Sequence, residues 1–128
     1  MSENLQKLLE EFVKEAGLDS IATGIIDFDG TELAYLIRGT FDKDFKPQHA
    51  ASLFAMAINF LNKTLGGIFF GDEDDVKEIL ITSQNGYFLL EVIEAEKCFH
   101  GVALTMDEDI NKIQQLAKKY KPLFVENL

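Results

Sequence analysis

The sequence predicts a mixed α/β (α+β) fold, a three-layer α/β/α sandwich around a five-stranded, mostly antiparallel sheet. Three segments have helical hydrophobic spacing and five have strand-like spacing, in the order α-β-β-α-β-β-β-α. Asn85-Gly86 is a strong hairpin signal, which favours antiparallel neighbours. The segment 87–93 is apolar on both faces, so helices have to cover the sheet from both sides. We expect a single domain that spans residues 1–128.

The first half of the chain is predicted to contain two helices and a hairpin. The first helix carries one apolar stripe, begins at a serine cap and stops at a glycine. The two strands are joined by the turn Phe28-Asp29-Gly30, and the second helix ends at Gly66-Gly67. The predicted bounds are Ser2–Gly17 for the first helix, 21–27 and 31–38 for the strands, and Pro47–Leu65 for the second helix.

The second half is predicted to contain three strands and a final helix. The run Thr105-Met106-Asp107-Glu108 matches a capping box, which opens the helix. Pro122 lacks the N–H that a helix interior needs, so we expect the helix to end before it. The predicted bounds of the strands are Val76–Ser83, Tyr87–Ile93 and Cys98–Leu104.

Composition limits the classes of partner. The net charge is −10, from 22 acidic against 12 basic residues, so nucleic acid and anionic membranes are unfavourable partners. No apolar run approaches the ~18 residues that a membrane-spanning helix needs, and the acidic, amphipathic N-terminus is unlike a secretory signal. Cys98 is the single cysteine, which excludes an intramolecular disulfide and favours a cytoplasmic location.

The second helix carries more apolar surface than contact with the sheet can bury. Its apolar positions cover an arc of roughly 220°, about twice the stripe of a typical surface helix. Either the first helix or the loop 39–46 folds over the excess, or a second copy of the chain covers it. Contiguous apolar patches more often mark interfaces, and most soluble oligomers are two-fold symmetric. We therefore expect a homodimer.

The third strand is expected to take part in the same dimer. Its "ILIT" run has neither proline nor a central charge to protect an edge, so it can pair with another chain. Polar residues of the second helix would surround a groove across the two-fold axis and contact a further partner. The predicted dimer surface is Leu53, Met56, Ala57, Phe60, Ile79 and Ile81, and the candidate partner contacts are Ser52, Asn59, Lys63 and Arg38.

Over about residues 3–120 the chain resembles the Roadblock / dynein light-chain family. The matching features are the order of elements, the "GIIDFDGTELAYL" hairpin, the helix "AASLFAMAINFLNKTL", the hairpin "EILITSQNGYFLLEVI" and the strand "FHGVALT". The resemblance implies a homodimer, or a heterodimer with a relative, built on the second helix and the third strand. It also implies a non-catalytic platform without cofactor or metal. Many members regulate Ras-like small GTPases, and a short stand-alone chain looks most like the prokaryotic ones.

A phosphatase is the main alternative. Asp27 and Asp29 have the spacing of the nucleophile and acid of haloacid-dehalogenase-type phosphatases, and acids of the run 71–75 could hold magnesium. That chemistry needs a parallel sheet with helical crossovers. Here "TELAYLIR" reads as a strand that returns at once, and Asp and Gly favour a tight turn for their own reasons. We therefore interpret Asp27 and Asp29 as turn residues.

The remaining candidates have weaker signals. Arg38, the single arginine, could act as an arginine finger, but a solvated strand end is the simpler interpretation. Cys98 and His100 could begin a zinc site, yet His49 is the one further soft ligand and has no matching spacing. A scaffold that ignores nucleotide state, such as a dynein light-chain-like adaptor, remains a second alternative.

Overall fold

A computed structural model describes residues 3–45, 48–69, 71, 75–94 and 97–128 of the chain, and for residues 48–51 it describes the backbone alone. The predicted order of three helices and five strands is confirmed. The elements are α1 (Glu3–Ala16), β1 (Ile21–Asp27), β2 (Glu32–Arg38), α2 (Gln48–Phe69), β3 (Glu78–Thr82), β4 (Gly86–Glu94), β5 (Cys98–Thr105) and α3 (Ile110–Glu126). Ser2 and Pro47, the predicted helix starts, lie outside the described residues.

The five strands form one sheet in the order β2-β1-β5-β4-β3. Each of the four pairings is antiparallel. The two hairpins therefore lie at the two ends, and β1 pairs with β5 in the middle. This order places β3 at one edge and β2 at the other.

Two apolar clusters occupy opposite faces of the sheet, which confirms the three layers. The cluster under α1 and α3 includes Phe12, Leu89 and Phe124, whereas the cluster under α2 includes Ile58, Leu90 and Phe99. Alternate residues of β4 enter alternate clusters because successive side chains of a strand point to opposite faces. The two apolar faces predicted for this strand thus have separate covers.

The helix ends differ from the predictions in three places. α2 continues through Gly66-Gly67, and Gly71, with a φ of 86°, donates its N–H to the carbonyl of Gly66. The predicted capping box is wrong, because the Thr105 hydroxyl bonds Asp107 and the cap of α3 is Asp109.

The predicted end before Pro122 is also wrong, because α3 runs on to Glu126. The next turn carries Phe124, which is fully buried between His100 and Tyr120. Packing of this side chain outweighs the hydrogen bond that the proline removes.

Candidate functional site

The inner side of α2 is anchored on the sheet by aromatic and aliphatic contacts. Phe54 stacks on Phe88 of β4, with ring centroids 5.0 Å apart, and meets the ring of Phe99 edge-on at 6.2 Å. Ile58, one turn later, is 2% exposed. The helical spacing of these residues fixes which side of α2 faces outward.

The outer side of α2 is apolar and open to solvent. Leu53, Met56 and Phe60 are 65%, 67% and 70% exposed, and Ala57 lies exposed among them. We call Leu53, Met56, Ala57 and Phe60 the outer face of α2. The intramolecular alternative is wrong for α1, because that helix packs on the opposite side of the sheet. The described part of the loop 39–46 leaves this face exposed as well.

The strand β3 continues the apolar surface at the sheet edge. Ile81 is 43% exposed and lies on the α2 side, whereas Leu80 is 42% exposed on the other side. Ile79 is partly buried and packs on the cluster under α2. Asn62 of α2 accepts a hydrogen bond from the N–H of Val76, which ties α2 to the segment that leads into β3.

Other exposed apolar residues escaped the sequence argument. Ile68 and Phe69 lie in the last turn of α2 and are exposed, because the helix continues past the two glycines at which the sequence predicts its end. Leu80 was not predicted because, of β3, the predicted dimer surface includes only Ile79 and Ile81, which lie on the other face of the strand. A longer helical window would have found the first two.

The candidate partner contacts fall into two separate places. Ser52, Asn59 and Lys63 are exposed on α2. Arg38 ends β2, at the sheet edge opposite β3. The fold therefore does not bring Arg38 to the α2–β3 side of the sheet.

Asp27 serves its own turn. Its Oδ1 accepts hydrogen bonds from the N–H groups of Asp29, at 3.0 Å, and Thr31, at 2.8 Å. Its carbonyl accepts a third from Gly30, whose φ is 94°. The flanking strands β1 and β2 are antiparallel neighbours. This geometry is that of a hairpin turn closed by an aspartate side chain. The phosphatase chemistry requires parallel strands beside its nucleophile, whereas Asp27 lies between antiparallel strands.

His100 and Cys98 are core residues. The Thr23 hydroxyl donates to the carbonyl of Gly101, at 2.9 Å, so it accepts from His100 Nε2, at 2.8 Å. Nδ1 is then left without a hydrogen bond among the described residues. Burial lowers the pKa of His100 to about 3 and raises the pKa of the Cys98 thiol to about 11. Both groups are therefore uncharged at neutral pH.

No group of three or more histidine, cysteine or acidic residues that could hold a metal ion occurs in the described ranges. Asp75 of the acidic run is exposed, while Asp72 and Asp74 lie outside the described residues, as does the side chain of His49. Within the same ranges, none of the helices is long and apolar enough to span a membrane.

Solved structures with the same arrangement of elements reveal the fold family. The gliding protein MglB from Thermus thermophilus superimposes with a TM-score of 0.76 at 18% identity, over 94% of this chain and 84% of that one. A Roadblock/LC7 domain from Streptomyces avermitilis gives 0.64 at 18% identity, over 96% and 99%. The chain has the Roadblock/LC7 fold.

A second MglB structure, described with a tetrameric arrangement, gives a TM-score of 0.73 at 17% identity, over 90% of this chain and 80% of that one. No protein-family model and no curated protein sequence matches the chain. At these identities the Roadblock/LC7 likeness establishes the fold and leaves the function to be argued from the surface.

Proposed function

We propose that this chain is a non-catalytic homodimer that binds a Ras-like small GTPase in the cytoplasm and modulates its nucleotide cycle. The observation that carries the proposal is the exposed outer face of α2 beside the unprotected edge strand β3. Apolar patches of this kind mark protein interfaces. The tetrameric arrangement of one MglB structure of the same fold supports self-association here.

The energy available from the outer face of α2 is comparable to what association requires. Leu53, Met56 and Phe60 are each about two-thirds exposed. Burial of such side chains would stabilise a dimer by about 1–2 kcal/mol each, or roughly 6–12 kcal/mol for both copies. Loss of translational and rotational freedom costs roughly 4–15 kcal/mol. The helix contact alone is therefore marginal, and a second contact is needed.

The edge of β3 supplies that second contact. Pairing β3 with its symmetry mate would join the two sheets and satisfy backbone groups that face solvent at the edge. Each backbone hydrogen bond contributes about 0.5–1.5 kcal/mol net. Because Asn62 of α2 bonds the segment that leads into β3, and Ile79 packs on the cluster under α2, one two-fold axis can serve both contacts.

The GTPase part of the proposal follows from the resemblance to the Roadblock / dynein light-chain family, many of whose members regulate Ras-like GTPases. The polar residues Ser52, Asn59 and Lys63 are exposed beside the apolar face and would contact the GTPase. With no catalytic group assigned, the chain would act by ordering the switch loops of the GTPase. The strand end at Arg38 lies at the far edge of the sheet, so an arginine finger would need a contact on a different side.

The dimer is tested by adding charge to the outer face of α2. We expect Leu53→Glu with Phe60→Glu to change the mass measured by light scattering from twice 14.4 kDa to 14.4 kDa. The matched control is Asn111→Glu with Gln115→Glu, which adds the same charge to exposed positions of α3. A wild-type mass of 14.4 kDa at micromolar concentration would refute the dimer.

The regulatory role is tested with Ras-like small GTPases from the same genome, each loaded with GTP or with GDP. A regulator must bind the two forms with different affinities, since equal affinity shifts no equilibrium. Equal affinity for the GTP-loaded and GDP-loaded forms would refute the regulatory role and favour the nucleotide-insensitive scaffold. Absence of binding to either form would overturn the GTPase proposal and leave the dimer proposal standing.

A further inference from the structure

A second apolar feature lies away from the outer face of α2, between the sheet and the loop that follows β2. It is a cavity of about 450 Å³. Its floor is formed by two cross-strand pairs of β1 and β5, Ala22 with Ala103 and Gly24 with Gly101. Most sheet positions under a helical layer carry large apolar side chains, and these four leave the space open.

Aromatic rings line two sides of this cavity, which we call the slot. A Cβ on Gly24 would lie 2.6 Å from Cδ2 of Tyr35, and one on Gly101 would lie 3.1 Å from Cζ of Phe88. The two rings therefore lean over the two glycines from opposite sides. Glycine is required here because any larger residue would push the rings away and close the slot.

The mouth of the slot is formed by the loop residues Phe41, Asp42 and Phe45. Phe45 leaves 48% of its surface exposed, so an aromatic ring stands half in water at the entrance. The Asp42 carboxylate is close to it and accepts a hydrogen bond from the Asp44 N–H at 2.9 Å. This negative charge at the mouth disfavours an anionic ligand, as does the net charge of −10.

The interior of the slot offers almost nothing to a charged group. The Thr23 hydroxyl is engaged with Gly101 and His100 on the other face of the sheet. Burial, and then the charges of Glu32 and Asp42, raise the pKa of Tyr35 above its ordinary value, so its phenol remains neutral. The volume falls within the roughly 300–1,000 Å³ that small-molecule pockets occupy and is too small for a helix.

We propose that this slot binds one flat, uncharged, apolar small molecule with an aromatic ring system. The rings of Tyr35 and Phe88, which pack on the two glycines, would flank the bound group, and the small side chains of Ala22 and Ala103 leave room for it above β1 and β5. The ring of Phe45 would close over it. This site shares no residue with the outer face of α2, so the proposal of a ligand site can be tested separately from the proposed dimer and GTPase contacts.

The test is a fluorescence titration with N-phenyl-1-naphthylamine, a neutral probe that is bright in apolar surroundings. We expect saturable binding of one probe per chain. Ala103→Leu fills the floor of the slot and should weaken binding at least tenfold, with folding checked by circular dichroism. If that variant fails to fold, Phe45→Ser tests the same site at the exposed mouth and should weaken binding several-fold.

Two controls separate this slot from other apolar surface. Leu53→Ser with Phe60→Ser removes apolar groups from the outer face of α2 and should leave probe binding unchanged. The anionic probe 1-anilinonaphthalene-8-sulfonate should bind at least tenfold more weakly than the neutral probe. Asp42→Asn should reduce this difference in affinity between the two probes. The proposal is overturned if wild-type binding is not saturable, or if binding follows Leu53 and Phe60 instead of Ala103 and Phe45. Equal affinity for the two probes would overturn the preference for a neutral ligand.

Discussion

Replacing His100 by glutamine should flatten the dependence of the unfolding free energy on pH below neutrality. His100 is 1% exposed and lies between the rings of Phe12 and Phe124, at centroid distances of 4.9 and 5.1 Å. Glutamine keeps a hydrogen-bonding side chain toward Thr23 and removes the titrating ring. Because the imidazole is neutral in the fold, its protonation is coupled to unfolding.

The magnitude follows from the two pKa values. Burial lowers the pKa of His100 from 6.5 to about 3 in the folded state. Below pH 6.5 the unfolded chain takes up a proton that the folded chain does not, so stability falls as pH falls. The loss approaches about 1.4 kcal/mol per pH unit once the unfolded imidazole is fully protonated, which gives about 2 kcal/mol between pH 6.5 and 4.5. That is a large part of the roughly 5–15 kcal/mol typical of a domain.

Glu91 acts with the opposite sign and must be separated from this effect. It pairs with His100 across β4 and β5 and is 5% exposed. Burial is the largest influence and raises its pKa; Lys121 opposes this rise, Glu78 adds to it, and Lys118 opposes it slightly. A raised carboxyl pKa removes stability as pH rises. The difference between wild type and His100→Gln cancels the Glu91 contribution, since both proteins contain it.

Urea unfolding at pH 7.5, 6.5, 5.5 and 4.5 measures this difference. We expect wild type to lose about 2 kcal/mol relative to His100→Gln between pH 6.5 and pH 4.5. His49→Gln, which changes the other histidine of the sequence, is the matched control. The reasoning fails if the difference between wild type and His100→Gln is the same at all four values, or if His49→Gln reproduces it.

Three further substitutions test local features by urea unfolding at pH 7.5. Asp109→Ala removes the side chain that accepts from the N–H of Asn111 and caps α3, and should lower the unfolding free energy by about 0.5–2 kcal/mol; no change would mean that the cap is not formed. Gly39→Ala should lower it by more than about 1 kcal/mol, because φ is 79° and the new Cβ would lie 2.5 Å from the Asp19 carbonyl oxygen. Gly67→Ala should instead raise the unfolding free energy by about 0.5–1 kcal/mol, because Gly67 lies inside α2 with no described atom within 4 Å of the new Cβ. If Gly67→Ala lowered the unfolding free energy as much as Gly39→Ala, both arguments would be contradicted.

The spacing of apolar residues along the sequence predicted the order of helices and strands. It also predicted that alternate side chains of β4 enter the apolar clusters on opposite faces of the sheet. These features depend on local spacing, which a sequence displays directly. The ends of α3 were predicted wrongly because they depend on tertiary contacts. Phe124 has to reach the core beside His100, and this holds the helix through Pro122. The competition between Thr105 and Asp109 for the cap is likewise decided by where β5 ends.

The candidate surfaces differ in how far the sequence could predict them. Leu53 and Phe60 share one helix face, so their common exposure follows from spacing alone. The slot depends on the register of β1 against β5, which brings Gly24 opposite Gly101. The two strands are far apart in sequence, and isolated small residues in a strand give no sign of which partner they will face.

The arrangement of helices leaves the outer face of α2 open, which is why we propose that a partner from outside the chain covers it. α1 and α3 share one face of the sheet, where they pack on each other and on the cluster that contains Phe12. Among the described residues, α2 is the one helix on the other face, and Phe54 and Ile58 on its inner side pack against the sheet. No second helical layer lies beyond α2 in the described residues, and the apolar groups around Phe60 are open to solvent. In the proposed dimer a second copy would cover this face, because two antiparallel copies of an edge strand such as β3 can pair with each other.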